Sequence, residues 1–310
     1  MEITFYRTLG TSIYIASIPG VMQEFNIGLT LATSPITFYA MGFVIGPTLT
    51  SALSEEFGRQ YIFKVSMFLT LVFTVVGGAA PNFRSLAVAR ALAGISASPG
   101  VSIFTGLITD IWDIHDKMLS TMLAIYVTVG GIATAIGPVS GESIVRDRGW
   151  RWSFWLTAIL IGICLLAVLP IPETYEPELR KKSMNTPRGS IKKSLAVAIF
   201  RPIHMACVEP IILPTAAIVT MGQIVIFVFY AAFPVMLASV YSFTPYEVGL
   251  AFLPIMVGNL LALPVLSFFD KKKYQPAVAE AQRNHREVGP EERLYGAMVG
   301  GILMPIGLFW

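Results

Sequence analysis

Residues 135–155 read AIGPVSGESIVRDRGWRWSFW. Gly137, Pro138 and Gly141 interrupt an apolar run; then come Arg146, Arg148 and Arg151 with Trp150 and Trp152, and apolar sequence resumes. Glycine and proline weaken a helix in water, proline by removing a backbone donor and bending the axis. A helix surrounded by lipid tolerates them, because neighbouring helices and side chains satisfy the freed groups. Small residues also let a second helix approach closely. Gly130, Gly131, Gly137 and Gly141 recur at spacings that align them in one stripe beside the Pro138 bend. The stretch therefore predicts a kinked spanning helix whose small face presses on a partner from another bundle. The Gly149–Trp152 corner predicts an interfacial anchor, with indoles at headgroup level and arginines in outer water.

Working outward, a span needs about 20 mostly apolar residues. Such segments cover about 34–53, 61–80, 85–112, 119–145, 152–170, 211–240, 247–269 and 294–310. A weaker one at about 5–21 contains Arg7, Gly10 and Pro19. The segments are too long and too uniformly apolar for membrane strands. Of 310 residues, 55% are hydrophobic and 13% charged, against about 25% charged in a soluble domain. A soluble helical protein is excluded by the shortage of polar sequence to coat it. The net charge of +3 is too small to indicate nucleic acid. Cys164 and Cys207 have neither metal nor disulfide spacing and read as small core residues.

Sixteen of the 22 Lys and Arg lie in or beside the loops after the even-numbered spans, and four after the odd ones. That asymmetry predicts cytoplasmic even loops and a cytoplasmic N-terminus. The polar, basic tract between the sixth and seventh spans divides the chain into a transmembrane bundle at 1–172, a cytoplasmic linker at 173–207 and a second, partial bundle at 208–310. Two bundles of spans joined by a linker fit a transporter built from repeats.

Several residues fit mechanism within this frame. In GPTLTSALSEEFGRQ, Gly46 allows close helix approach and Gly58 a tight turn. Glu55 and Arg59, four apart, can pair and latch one face shut, or form an ordinary solvated turn. Arg90 lies six residues past Arg84, about 9 Å into the fourth span. A cation at that depth costs about 2.5–3.5 kcal/mol, so it faces protein or water and is a functional candidate, unless it snorkels to the surface. Tyr14, Tyr126, Gln223 and Asn259 are candidate cavity groups that also fit ordinary packing. No phosphate-cradling loop, metal-binding or nucleophile motif appears. The sequence thus predicts no enzyme, no metal, no cofactor and no use of ATP.

Taken together these stretches resemble the major facilitator superfamily, specifically its twelve-helix fungal drug:proton antiporter branch. TSIYIASIPGVMQEF is similar to the end of helix 1, GPTLTSALSEEFGR to the loop 2–3 signature, and RALAG to the helix 4 motif. GPVSG with GWRWSFW resembles the antiporter motif of helix 5 and the start of helix 6. PETYEPELRKK, EPIIL, YEVGLAFLPIMVGNLLALP and PEERLYGAMVGGILMPIGLFW continue the likeness through helix 9. The resemblance implies an all-α major facilitator fold, here a six-helix bundle plus about three helices of a second. It implies alternating access, proton coupling through Arg90, and efflux of small organic molecules such as drugs, toxins or secondary metabolites. It implies a multi-pass protein of the plasma membrane, whose partners are substrate, protons and lipid. Three further helices are also implied, so a truncated, transport-inactive member is the alternative. Gln60 replaces a usual arginine, Glu142 a usual glycine and Ala231 a usual acid, which weakens any claim to cationic substrates in helix 7.

Overall fold

The computed structural model describes residues 2–100, 103, 106, 108, 117–170, 200, 204–283 and 295–309, all that follows concerning these. The first bundle contains α1 (Glu2–Ser12), α2 (Tyr14–Phe25), α3 (Leu29–Phe57), α4 (Arg59–Gly78), α5 (Phe83–Ala97), α6 (Lys117–Arg148) and α7 (Arg151–Val168). The second contains α8 (Ile212–Val240), α9 (Pro245–Leu250), α10 (Leu253–Phe269), α11 (Gln275–Arg283) and α12 (Tyr295–Phe309). A π-helical turn, Asp270–Tyr274, joins α10 to α11. The fold is all-α, as the uniformly apolar segments require. Six helices are long and apolar enough to cross a membrane, and Tyr295–Gly307 is a shorter apolar one. The remainder of the expected 85–112 span and most of the 173–207 tract lie outside the described residues.

The weak first span is two helices rather than one, α1 and α2 meeting at Ile13. The Ser12 hydroxyl donates to the carbonyls of Thr8 (3.1 Å) and Leu9 (3.3 Å). Such back-bonding bends a helix, and Gly10 lowers the cost of the bend. At the other end of α2, Asn26 takes a left-handed conformation (φ 50°) and ends the helix.

Helix contacts follow the small residues. Gly42, Gly46 and Gly94 let α3 and α5 cross with their backbones nearly touching: a Cβ on Gly42 would stand 2.8 Å from the Ala91 carbonyl oxygen. Lipid supplies no hydrophobic force between helices, so such close packing carries the association. Three apolar clusters hold the first bundle: one around Tyr6, Met67 and Ile161, one around Tyr14, Leu86, Trp150 and Phe154, and a small one of Tyr39, Ala93 and Ala97 at the α3–α5 crossing. A smaller one, Leu237, Val248 and Phe252, lies in the second bundle. Cys164 is buried as expected, but Cys207 is exposed. Helix α6 is shared: it packs on α1 and α2 within its own bundle and on α9 and α10 of the other.

Candidate functional site: a cavity between two bundles

Between the bundles lies a cavity of about 2130 Å³, walled by α1, α2, α3 and α6 on one side and α8, α10 and α12 on the other. Its polar lining is mostly uncharged: Thr8, Thr11 and Ser12 from α1, Thr134 from α6, Gln223 from α8 and Asn259 from α10. Phe43, Phe227 and Tyr230 add aromatic faces. Tyr126, Gln223 and Asn259 all line this cavity. The Tyr126 hydroxyl donates to the Gly100 carbonyl (3.2 Å), and the Asn259 amide donates to Ile255 one turn back in its own helix (2.8 Å).

Tyr14 does not belong to this set. It is fully buried in the first bundle, its hydroxyl donates to the Ala32 carbonyl at 2.9 Å, and its ring meets Phe154 edge-on. The turn at Ile13 separates α2 from the Thr8–Ser12 face of α1, so the Tyr14 phenol finds its acceptor on α3 instead. The Thr8, Thr11 and Ser12 face passed unnoticed in the sequence, although polar residues three to four apart are its signal.

Arg90 is 7% exposed and faces protein, which excludes the snorkelling alternative. Its guanidinium carbon lies 4.5 Å from the Phe154 ring centre, 4.6 Å from that of Tyr14 and 5.5 Å from that of Tyr39. Its Nη1 donates to the Gly10 carbonyl at 2.9 Å. No acidic side chain pairs with it among the described residues. Arg90 thus joins α5 to the last turn of α1, where a helix leaves carbonyls without intrahelical donors. Cation–π attraction takes the place of a counter-ion.

The glycine stripe of α6 is divided between two tasks. Gly137 and Gly141 face α1 and α2 of the same bundle: a Cβ on Gly137 would stand 2.9 Å from the Ile13 nitrogen, and one on Gly141 3.0 Å from the Ala16 Cβ. The partner from the other bundle meets different residues. Asn259 covers Gly131 so closely that no Cβ fits, and Gly249 of α9 lies 3.3 Å (Cβ position) from the Pro138 carbonyl oxygen. Gly130 lines the cavity. The expected contact between bundles therefore runs through Gly131 and Pro138, not Gly137 and Gly141. Gly249, a residue the sequence does not single out within YEVGLAFLPIMVGNLLALP, completes it.

In the loop 2–3 stretch, Gly46 serves the α3–α5 crossing and Gly58 (φ 92°, ψ 148°) makes the turn into α4, a conformation open essentially to glycine alone. The Arg59 guanidinium lies against Gly106, where an added Cβ would stand 3.0 Å from its central carbon. The Glu55 side chain lies outside the described residues, and with it the Glu55–Arg59 pair.

The outer corner also departs from its reading. Trp150 is 5% exposed and packs beneath Phe25 and Phe154, so it is a core residue rather than a headgroup anchor. Its indole N–H donates to Glu24 (2.7 Å), and Arg151 pairs with the same carboxylate while also donating to the Ala80 carbonyl (3.1 Å). Trp152 does reach the surface, stacked under Arg148. This network accounts for arginines that the charge asymmetry of the loops leaves unexplained. The hydrogen bond from Arg151 holds the Glu24 carboxyl below its ordinary pKa, the Trp150 indole assisting against partial burial. A lowered folded pKa contributes stability above the ordinary carboxylate value, and that stability is lost as pH falls through the lowered one. Melting of the purified protein should therefore lose up to about 1 kcal/mol from this exposed pair on acidification below pH ~4. Glu24→Gln should remove that component of the pH dependence; an identical acid profile in the variant would dissociate the corner from it.

Two bundles of membrane-length apolar helices thus enclose a central cavity lined from both sides. Residues 3–310 match the family model described as Major Facilitator Superfamily, and the chain belongs to that superfamily. It is 29% identical over 328 residues to the MFS-type transporter acdC of Aspergillus candidus, covering 100% of this chain and 64% of that one. To the efflux pump FUBT of Fusarium oxysporum it is 31% identical over 322 residues, covering 98% and 53%. The chain thus spans about half to two thirds of the length of these relatives. The proton:xylose symporter XylE bound to 6-bromo-6-deoxy-D-glucose superposes with a TM-score of 0.59 at 15% identity, covering 96% of this chain and 77% of that one. That likeness establishes the fold.

Proposed function

We propose that this protein exports small organic molecules by alternating access, driven by inward proton flow across the plasma membrane. The carrying observation is the cavity: both bundles wall it, and its lining is mostly apolar and neutral, suited to an organic molecule rather than a small ion. In this reading 1–172 and 208–310 are the two moving bundles, and the N-terminus and the 173–207 linker are cytoplasmic. Arg90 couples proton movement to the α1–α2 bend, which forms part of the cavity wall. Gly46, Glu55, Gly58 and Arg59 gate the cytoplasmic face, and the α6 glycines with Pro138 set how closely helices approach on the outer side. The names of the two fungal relatives, a transporter and an efflux pump, support the direction.

The test is expression in a host lacking its own pumps, challenged with a panel of toxic organic compounds. At least one compound should accumulate less than in the empty-vector host, and a protonophore should restore its accumulation. Accumulation unchanged across the panel would overturn the reading and leave a transport-inactive member of the superfamily. Reduced accumulation that survives the protonophore would overturn proton coupling alone.

A further inference from the structure

Charge is placed unevenly in the cavity. Among its described lining residues, ionisable acids and bases occur only on the last two turns of α6, as Glu142, Arg146 and Asp147. Arg146 and Asp147 are exposed on the rim, in the final turn. Glu142 is half-buried and lies six residues before Arg148, about 9 Å further in along the helix axis. Its stem is held from the facing bundle, its Cγ lying 3.5 Å from where a Cβ on Gly249 would stand. No hydrogen bond or ion pair reaches its carboxylate from any described residue, Arg146 one turn on included. The aromatic lining includes Tyr230, Phe243 and Tyr246, the last two from the segment that leads into and forms α9.

An ionisable group inside the membrane is costly unless something compensates it. A carboxylate without a partner among the described residues, in a cavity with aromatic walls, presents complementary sites to one kind of guest. The carboxylate attracts positive charge, the ring faces do the same, and the apolar lining takes the body of the molecule. An anionic guest meets repulsion, and a neutral one gains nothing from Glu142. We propose that Glu142 is the specificity-determining residue of the cavity, selecting organic cations: molecules with a protonated amine or a quaternary centre on an apolar frame. This rests on the export reading above. It reverses the sequence-based expectation, in which the missing helix 7 acid argued against cationic substrates, because here the charge stands on the opposite wall.

The test uses the purified full chain in detergent and two probes of similar shape. Tetraphenylphosphonium carries a permanent charge and triphenylphosphine oxide none; both are measured by equilibrium dialysis. The parent should bind the cation about tenfold more tightly, the difference expected for one ion pair in a half-solvated site. Glu142→Gln should weaken cation binding about tenfold and leave the neutral probe within about twofold, the neutral probe serving as control for folding. Glu142→Asp should retain a reduced preference. A Gln variant that keeps the parent's preference would overturn the proposal, as would a parent that binds only the neutral probe, which leaves the export reading intact. Binding of neither probe by the parent would overturn both.

Discussion

Arg90→Ala is expected to lower proton-driven efflux by about a hundredfold while the protein still folds. The Arg90 guanidinium donates to the Gly10 carbonyl at 2.9 Å and is enclosed by the rings of Phe154, Tyr14 and Tyr39. A hydrogen bond from a charged donor contributes about 1.5–3 kcal/mol, and about 2.7 kcal/mol, within that range, corresponds to about two decades in rate. Its loss releases the last turn of α1, which carries Thr8, Thr11 and Ser12 into the cavity. Stability should change little, because removing a buried cation with no acidic partner among the described residues also recovers its desolvation cost. Arg90→Lys should give intermediate flux: it keeps the charge but has no planar group to lie between the Tyr14 and Phe154 rings. Flux under an imposed pH gradient, measured beside the melting temperature, separates the two effects. Undiminished flux in the alanine variant would remove Arg90 from coupling.

Gly46→Val should act in the opposite way, on folding before transport. A Cβ at Gly46 would stand 2.8 Å from the Ile95 carbonyl oxygen and closer still to the Ser98 side chain. The Ser98 hydroxyl can rotate away, but its Cβ and the backbone of α5 cannot yield without opening the α3–α5 crossing that Gly42 and Gly94 also serve. Overpacking of this kind costs roughly 3 kcal/mol or more when backbone is the obstacle. The variant should melt at least about 5 °C lower in detergent or fail to accumulate in the membrane. Gly162→Ala is the matched control: it lies in α7 with nothing within 4 Å of its Cβ position, so helix propensity should raise stability by up to about 1 kcal/mol. Equal melting of the two variants would mean that α3 and α5 do not cross as described.

The particular residues show how far sequence carries. Arg90 was singled out by depth alone, since a cation about 9 Å into an apolar segment demands an explanation whatever surrounds it. Gly46 and Gly58 were legible for a similar reason: glycine reports a backbone requirement local to itself. Tyr14 and Trp150 were misplaced because a phenol and an indole fit equally a cavity wall, a headgroup layer or a sealed core, depending on which acceptor lies in reach. The acceptors are the Ala32 carbonyl for Tyr14 and Glu24 for Trp150, and nothing in the spacing connects these residues. Glu142 stood out only as a departure from a glycine-rich motif, and Gly249 not at all.

Sequence alone therefore determined that this chain crosses a lipid bilayer as helices, and that its helices fall into two groups. Segment length and composition decide the first, through the cost of leaving backbone polar groups unpaired in hydrocarbon, and the long polar, basic tract between the sixth and seventh spans decides the second. Only the tertiary structure decided which side of each helix meets which neighbour, dividing the α6 stripe between its own bundle and the other, and placing one carboxylate on the cavity wall. Lipid is as apolar as the side chains it touches, so a spanning helix carries little hydrophobic asymmetry to mark its inner face. Its rotation is settled by the fit of small residues against particular partners, and that fit exists only once the helices are assembled.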